Sequence, residues 1–157
     1  MSSAGVGDFD FFHGSWQVAS ERLKSRLTSS SEWETFGARA ECWPILGGAG
    51  NVDTFRPEWP GHEGYEGASL RLFNPETGKW SIYWADTSGE LFPPVTGGFA
   101  DGAGEFFGDD SEDGTPVRAR FRWSEIRSGS PRWEQAFSVD QGRSWETNWV
   151  MSFIRIR

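Results

Sequence analysis

In the C-terminal segment RWEQAFSVDQGRSWETNWVMSFIRIR, aromatic or aliphatic side chains largely alternate with polar ones. A β-strand places successive side chains on opposite faces, so this alternation is typical of strands. The pattern predicts two antiparallel strands, Trp133–Val139 and Ser144–Ile156, joined by the turn Asp140–Arg143. Gln135 and Thr147 fall on faces that are otherwise mostly aromatic or aliphatic. A plain core does not need such an amide, whereas a small-molecule pocket does, so the segment predicts a barrel that holds a ligand.

The rest of the chain continues as short alternating segments separated by turns rich in Gly, Pro, Asn or Asp, and we count about ten strands. Nowhere do apolar residues repeat at helical spacing for more than about two turns. A single sheet of this many strands would leave two free edges, and closure removes both of them. We therefore predict an all-β, antiparallel up-and-down barrel of about ten strands, with a two-sheet sandwich as the alternative.

The N-terminal residues divide into a loose part and a part that closes the barrel. Residues 1–8 are small and polar, which predicts a flexible N-terminus, and residues 9–157 are predicted to form a single barrel domain. The segment DFDFFHG, residues 8–14, predicts a short turn or 3₁₀ plug. The three phenylalanine rings of this segment would stop one end of the barrel.

The aromatic content is high for a chain of 157 residues, with 10 Trp and 13 Phe against 2 Met. Indole rings are too large to face solvent without cost and too bulky to pack as closely as Leu or Ile in a small core. Two interpretations stay open at this point. Some of the tryptophans line a cavity, or together they form a merely bulky core.

Charge and cysteine content narrow the classes of partner. The net charge of −8 disfavours nucleic acid and anionic membrane surfaces as partners. Cys42 is the only cysteine, which excludes an internal disulfide and a cysteine-based metal cage, and we interpret it as a small buried hydrophobe. The N-terminus does not have the pattern of a signal peptide, so we expect a cytoplasmic protein. We expect no metal and no cofactor, because His13 and His62 are not accompanied by a ligand set.

Strand alternation selects the candidate site residues. If the indoles point into the barrel, polar groups of the same faces point inward with them. In the middle of the chain we turn Asn51, Asp53 and Arg71 inward, since the opposite faces are more aliphatic. The predicted ligand-binding set is Arg71, Gln135, Asn51, Asp53, Trp84, Trp123, Trp133, Thr147, Trp149 and Arg22.

A buried guanidinium requires a partner, and Asp53 is the partner we predict for Arg71. Two roles stay open for this pair. It is a structural ion pair, or Arg71 anchors a carboxylate, enolate or phenolate of a ligand. By contrast, the alternating residues Arg118, Arg120 and Arg122 are predicted to form a solvated outer stripe, paired with glutamates 134 and 146 of neighbouring strands.

Several segments resemble a known group of barrels. Gly14-Ser15-Trp16 near the start and Arg155 near the end resemble the Gly-x-Trp and arginine pair of the calycins, the superfamily of lipocalins and fatty-acid-binding proteins. That resemblance implies that Trp16 closes one end of the barrel and that Arg155 stacks across it. The segments DFDFFHGSW, PILGGAGNVD, SLRLFNPETGKWSIYWAD, RARFRWS and RWEQAFSVDQGRSWETNWVMSF are similar to an uncharacterised bacterial calycin-like domain family, over residues 8–155.

The resemblance implies the fold and carries no activity with it. Haem-binding calycins of the nitrobindin type use a late histidine as the iron ligand, and this chain has no histidine after His62. The leading hypothesis is therefore a barrel that binds a small apolar or aromatic molecule. The alternatives are a cofactor-independent cyclase, isomerase or lyase acting on such a molecule by confinement, and a protein-interaction module or homodimer formed through exposed Trp43 and Trp59.

Overall fold

Ten antiparallel strands form a closed barrel in the computed structural model, which describes residues 5–157. Each strand pairs with its neighbours in sequence, and the first strand closes the barrel against the last. The prediction of an all-β up-and-down barrel is confirmed. The strands are β1 Gly14–Leu23, β2 Trp33–Ile45, β3 Gly50–Pro57, β4 Gly67–Asn74, β5 Lys79–Asp86, β6 Val95–Ala100, β7 Ala103–Glu112, β8 Thr115–Ser124, β9 Arg132–Ser138 and β10 Glu146–Arg155.

Alternation of burial along the strands explains why these segments form a barrel. In β4 every second residue is buried, so Ser69, Arg71 and Phe73 face the interior while Leu70 and Leu72 lie on the outside. In β1 the buried residues Trp16, Val18 and Ser20 alternate with exposed ones in the same way. Closure follows because the pairing of β1 with β10, from Trp16–Arg155 to Arg22–Trp149, satisfies both remaining strand edges.

One end of the barrel is closed by the 3₁₀ turn Asp10–Phe12 and the rings around it. Phe9 and Phe12 are buried, and the indole N–H of Trp16 donates to the carbonyl of Phe12 at 2.9 Å. The guanidinium carbon of Arg155 lies 4.2 Å from the centre of the Trp16 ring, and its N–H groups donate to the carbonyls of His13 (2.5 Å) and Phe11 (2.8 Å). The two residues that the sequence pattern pairs thus lie together at the plugged end.

The part of the predicted flexible N-terminus that the structure describes lies against this plug. Residues 1–4 of that prediction fall outside the described residues. Gly5 to Asp8 form turns, with the amide of Asp8 donating to the carbonyl of Gly5 at 3.1 Å. The same carbonyl accepts a bond of 2.9 Å from the indole N–H of Trp80. The flexibility of residues 1–8 remains a prediction.

On the outer surface, the arginines of β8 contact residues other than the predicted glutamates. Arg122 pairs with Glu105 of β7 at 3.4 Å, Arg118 approaches Asp109 at 4.0 Å, and Arg120 lies 4.7 Å from the Trp145 ring. The predicted glutamate partners are engaged elsewhere: Glu134 with Arg132 at 3.3 Å, and Glu146 with the amide of residue 27 at 2.9 Å. Arg118 and Arg122 do lie on the outer surface, but the predicted partners are wrong. Each β8 arginine is flanked by two strands, and alternation does not decide toward which one a long side chain turns.

Candidate functional site

A cavity lies in the middle of the barrel, between the plug and the opposite end. It leaves about 60 Å³ accessible to the centres of water molecules. Eight of the ten residues of the predicted ligand-binding set lie in or beside it, and the two others lie at its mouth or on the far face of β10. Its lining residues are Phe12, Ala40, Asp53, Phe55, Ser69, Arg71, Ile82, Trp84, Phe121, Trp123, Trp133, Gln135, Trp149, Met151 and Phe153.

The floor of the cavity holds the ion pair between Arg71 and Asp53. A guanidinium nitrogen of Arg71 lies 2.6 Å from Asp53 Oδ2, and another donates to Asn51 Oδ1 at 2.8 Å. The side chains of Arg71 and Asp53 are only 5% and 7% exposed. Neighbouring strands bring the three together, since Asn51 lies opposite Arg71 and Asp53 opposite Ser69 in the pairing of β3 with β4.

Three buried donors at this end have no hydrogen-bond acceptor among residues 5–157. They are Nε of Arg71, Nδ2 of Asn51 and the indole Nε1 of Trp123. The guanidinium carbon of Arg71 lies 5.9 Å from the Trp123 ring and 5.2 Å from each of the Phe9 and Phe12 rings. At the floor, a guanidinium group thus packs against aromatic rings. The polar atoms there that lack a hydrogen-bond partner among the described residues are all N–H donors.

Aromatic rings form most of the cavity wall. Trp133 and Trp149 meet edge to face with centroids 5.9 Å apart, and Phe121 meets Trp133 in the same way at 5.1 Å. The Trp149 indole is oriented by a 2.8 Å hydrogen bond from its N–H to the hydroxyl of Ser20. Such an arrangement gives flat, apolar surfaces with little freedom to turn.

The position of the Trp84 ring depends on a glycine of the neighbouring strand. A Cβ atom at Gly67 would lie 2.1 Å from the Trp84 ring, so any other residue would displace the indole. The first residue of β4 therefore sets the orientation of a wall residue. Beyond Trp84 the loop 87–94 folds back, and the amide of Phe92 donates to the Trp84 carbonyl at 2.8 Å.

Gln135 places an amide in the aromatic wall. Its Nε2 donates to Oδ1 of Asn148 at 2.8 Å, and Asn148 is completely buried. The prediction that Thr147 shares the inward face of Trp149 does not hold, because the pairing of β10 with β9 shifts between these two residues. Trp149 lies opposite Gln135, whereas Thr147 lies opposite Ala136 on the other face. The inserted residue, Asn148, accepts the hydrogen bond from Gln135 but does not itself line the cavity.

A wider mouth continues from the cavity at the end opposite the plug, with about 220 Å³ accessible to the centres of water molecules. Five residues line both spaces: Ile82, Trp84, Phe121, Gln135 and Trp149. The mouth is far more polar than the cavity. Its charged lining residues are Arg22, Arg26, Asp86, Asp109, Asp110 and Glu112.

Two polar pairs shape this mouth. Arg26 Nη1 donates to Glu112 Oε2 at 3.0 Å, and the hydroxyl of Tyr65 donates to Asp86 Oδ2 at 3.0 Å. Burial raises the pKa of the Tyr65 hydroxyl, and the neighbouring Asp86 carboxylate raises it further, so Tyr65 stays protonated as a donor. Local sequence pattern did not identify Arg26, Tyr65 or Glu112, because two of them lie in connections between strands.

Arg22 and Trp59 form a cap over one side of the mouth. The Arg22 guanidinium carbon lies 4.9 Å from the rings of both Trp59 and Trp149. Trp59 stacks on Phe36 at 5.0 Å and on His62 at 3.8 Å, and its indole N–H donates to Glu34. A Trp in the segment RPEWPGHEG, the longest Gly- and Pro-rich loop of the chain, is the signal that could have identified this cap.

The burial of Trp59 corrects the prediction that it is an exposed aromatic of a homodimer surface. Only 6% of Trp59 is exposed, whereas 44% of Trp43 is. The reason is that the loop after β3 folds back onto the barrel instead of projecting into solvent. The amide of Glu58 in this loop donates a hydrogen bond of 2.8 Å to the carbonyl of Gly37 in β2. Of the two tryptophans suggested as homodimer contacts, Trp43 is the one that is exposed.

No known family model matches this chain, and a search of curated proteins finds no match either. Residues 5–157 contain no group of three or more His, Cys, Asp and Glu side chains placed to hold a metal ion. Across the same residues, no helix has the length and apolar character needed to cross a membrane.

Proposed function

We propose that this barrel binds a small apolar or aromatic molecule, which enters through the mouth and rests in the cavity between Trp84, Trp133 and Trp149. The observation that carries the proposal is the continuity of an aromatic cavity with a polar mouth through five shared residues. Ligand pockets combine predominantly apolar walls with a few placed polar groups. Gln135 and the Arg71–Asp53 pair are such groups in this barrel.

The burial of the ligand would come from rings that already pack against one another. Phe55 and Trp149 lie 6.0 Å apart and Phe55 and Trp84 lie 6.2 Å apart, so three rings from different strands surround one space. A preformed wall favours binding, because little side-chain freedom remains to be lost when the ligand arrives.

We also propose that the chain is a calycin-like barrel and that it acts in the cytoplasm. Support for the first part is the closed antiparallel barrel together with the stacking of Arg155 on Trp16 beside the plug. The second part is compatible with the single cysteine, which is buried as a free thiol.

Filling the cavity tests the proposed function. Ala40 is buried and lines the cavity, so Ala40→Leu should occupy the space and weaken binding of indole or naphthalene by about tenfold or more. Saturable quenching of tryptophan fluorescence, with 1:1 stoichiometry by native mass spectrometry, is the measurement. Ser69→Val, at another lining position, is the second variant and should act in the same direction.

The matched control places the same substitution on the outer surface. Ala19 is an exposed residue of β1, so Ala19→Leu should leave the affinity unchanged. Equal affinities for Ala40→Leu and Ala19→Leu, with both proteins folded by circular dichroism, would place the binding outside the barrel. Failure of both indole and naphthalene to saturate would count against a cavity that takes unsubstituted aromatic molecules.

A further inference from the structure

The floor of the cavity carries no net charge, although it contains a guanidinium group. Asp53 lies 2.6 Å from Arg71, and both side chains are almost completely buried. The positive charge of Arg71 is therefore already balanced within the protein. A ligand carboxylate placed there would add a second negative charge beside Asp53, in surroundings where aromatic walls screen it weakly.

The mouth also disfavours an anion. Among its lining residues, four carboxylates (residues 86, 109, 110 and 112) outnumber the two guanidinium groups of Arg22 and Arg26. One of these guanidinium groups is held by Glu112 at 3.0 Å, and the other lies between two indole rings at 4.9 Å from each. An anionic ligand would thus meet a surplus of negative charge before it reached the cavity.

The buried N–H groups at the floor that have no partner in the described part of the chain would nevertheless be satisfied by a hydrogen-bond acceptor on the ligand. Nε of Arg71 and Nε1 of Trp123 belong to residues that line the cavity, and Nδ2 of Asn51 belongs to the buried neighbour that accepts a hydrogen bond from Arg71. None of the three has an acceptor among residues 5–157, and all three are N–H donors. An oxygen without charge satisfies a donor and leaves the balance between Arg71 and Asp53 undisturbed.

We infer that the ligand is an uncharged, flat aromatic molecule carrying a carbonyl oxygen, which it directs toward Arg71 and Trp123. This inference rests on the proposed function and names the class of molecule that the same cavity takes. It differs from the expectation that Arg71 anchors a carboxylate, enolate or phenolate. The difference arises because Asp53 balances the charge of Arg71. The floor therefore offers hydrogen-bond donors but no net positive charge.

Three probes of nearly the same shape test this inference. Acetophenone has a carbonyl group on one ring, α-methylstyrene replaces that oxygen by CH₂, and benzoate replaces the methyl ketone by an anionic carboxylate. We expect acetophenone to bind at least about tenfold more tightly than α-methylstyrene, since one satisfied buried donor is worth about that factor. Benzoate should bind more weakly than either, as measured by calorimetric titration near neutral pH.

Two variants locate the effect at the floor. Trp123→Phe keeps a ring but removes the indole N–H, and it should reduce the preference for acetophenone over α-methylstyrene. Trp80→Phe is the control, because the Trp80 N–H is engaged by the carbonyl of Gly5 and Trp80 does not line the cavity. Asp53→Asn leaves Arg71 with uncompensated charge, so benzoate should gain at least about tenfold relative to acetophenone.

The outcomes separate this inference from the proposed function. Tighter binding of benzoate than of acetophenone by the unmodified protein would overturn the inference and leave an aromatic-binding barrel in place. So would equal affinities for acetophenone and α-methylstyrene, or a preference that Trp123→Phe does not reduce. Failure of all three probes, together with indole and naphthalene, to bind would overturn the proposed function and the inference with it.

Discussion

Arg71 is the residue whose environment most limits what the cavity can hold. It contacts Asp53, Asn51 and the faces of two plug phenylalanines, so its charge is surrounded by one anion, one amide and several rings. A buried ion pair of this kind contributes little stability by itself, because the loss of hydration offsets most of the attraction between the charges. Its role is therefore better sought in the specificity of the cavity than in the stability of the fold.

The two members of this pair should be far more costly to remove singly than together. Arg71→Met leaves Asp53 buried without a counter-charge, and we expect the free energy of unfolding to fall by about 3–5 kcal/mol. The double variant Arg71→Met/Asp53→Leu replaces the pair by apolar side chains and should recover most of that loss. Urea unfolding followed by tryptophan fluorescence measures both. A double variant as unstable as the single one would show that the pair itself stabilises the barrel.

At the scale of elements, the β9–β10 hairpin shows how one side chain organises a turn. Asp140 Oδ1 accepts hydrogen bonds from the Ser138 hydroxyl (2.7 Å) and the amide of Ser144 (2.9 Å), and Oδ2 accepts one from the Ser144 hydroxyl (2.5 Å). These bonds favour the charged carboxylate and lower its pKa well below the ordinary value, with the Ser144 hydroxyl as the largest cause.

The hairpin should therefore lose stability in acid, and the sign follows from the direction of the pKa shift. A carboxyl group whose pKa is lowered by folding stabilises the protein above the pKa of the unfolded chain, about 3.9, and loses this contribution as the pH falls through the folded value. Asp140→Asn should lower the midpoint of thermal unfolding near neutral pH, and its deficit relative to the unmodified protein should shrink below about pH 4.

A second aspartate provides the control for this pH dependence. The side chain of Asp109 is 93% exposed and lies 4.0 Å from the nearest charged nitrogen, on Arg118. Asp109→Asn should change the midpoint very little at any pH, because an exposed pair at that distance contributes almost nothing. A deficit of Asp140→Asn that stays constant from neutral to acid pH would mean that the turn does not depend on the charge of Asp140.

At the scale of the whole molecule, packing at the plugged end of the barrel shields the one thiol of the chain from solvent, although the opposite end opens through the mouth. Cys42 of β2 is 4% exposed and faces the interior near the plugged end. Burial raises the pKa of its thiol to about 12, so the reactive thiolate is scarce in the folded protein. Since Cys42 is the only cysteine of the chain, its chemistry reports on the barrel as a single unit.

Alkylation of Cys42 should therefore follow global unfolding. We expect iodoacetamide to modify the thiol very slowly in the native protein near neutral pH, and the rate in rising urea to increase along the same transition as tryptophan fluorescence. The variant Cys42→Ala/Ala19→Cys moves the thiol to the outer surface of β1 and should react quickly without denaturant. Rapid modification of native Cys42 would contradict this and indicate that the reagent reaches the thiol without global unfolding, through the mouth or by opening of the plug.

The amino-acid sequence by itself determined the strands, their antiparallel order, the plug and the inward position of Arg71 with Asp53. Those features depend on alternation and on turn residues, which act between neighbours in the chain and can be counted without coordinates. The tertiary structure decided that a bulge separates Thr147 from the face of Trp149 and places Asn148 against Gln135, and that the loop after β3 buries Trp59 against Phe36. It also decided that Arg122 pairs with Glu105. At each of these positions, contacts with residues distant in the sequence compete with one another, and the local sequence pattern does not determine which contact forms.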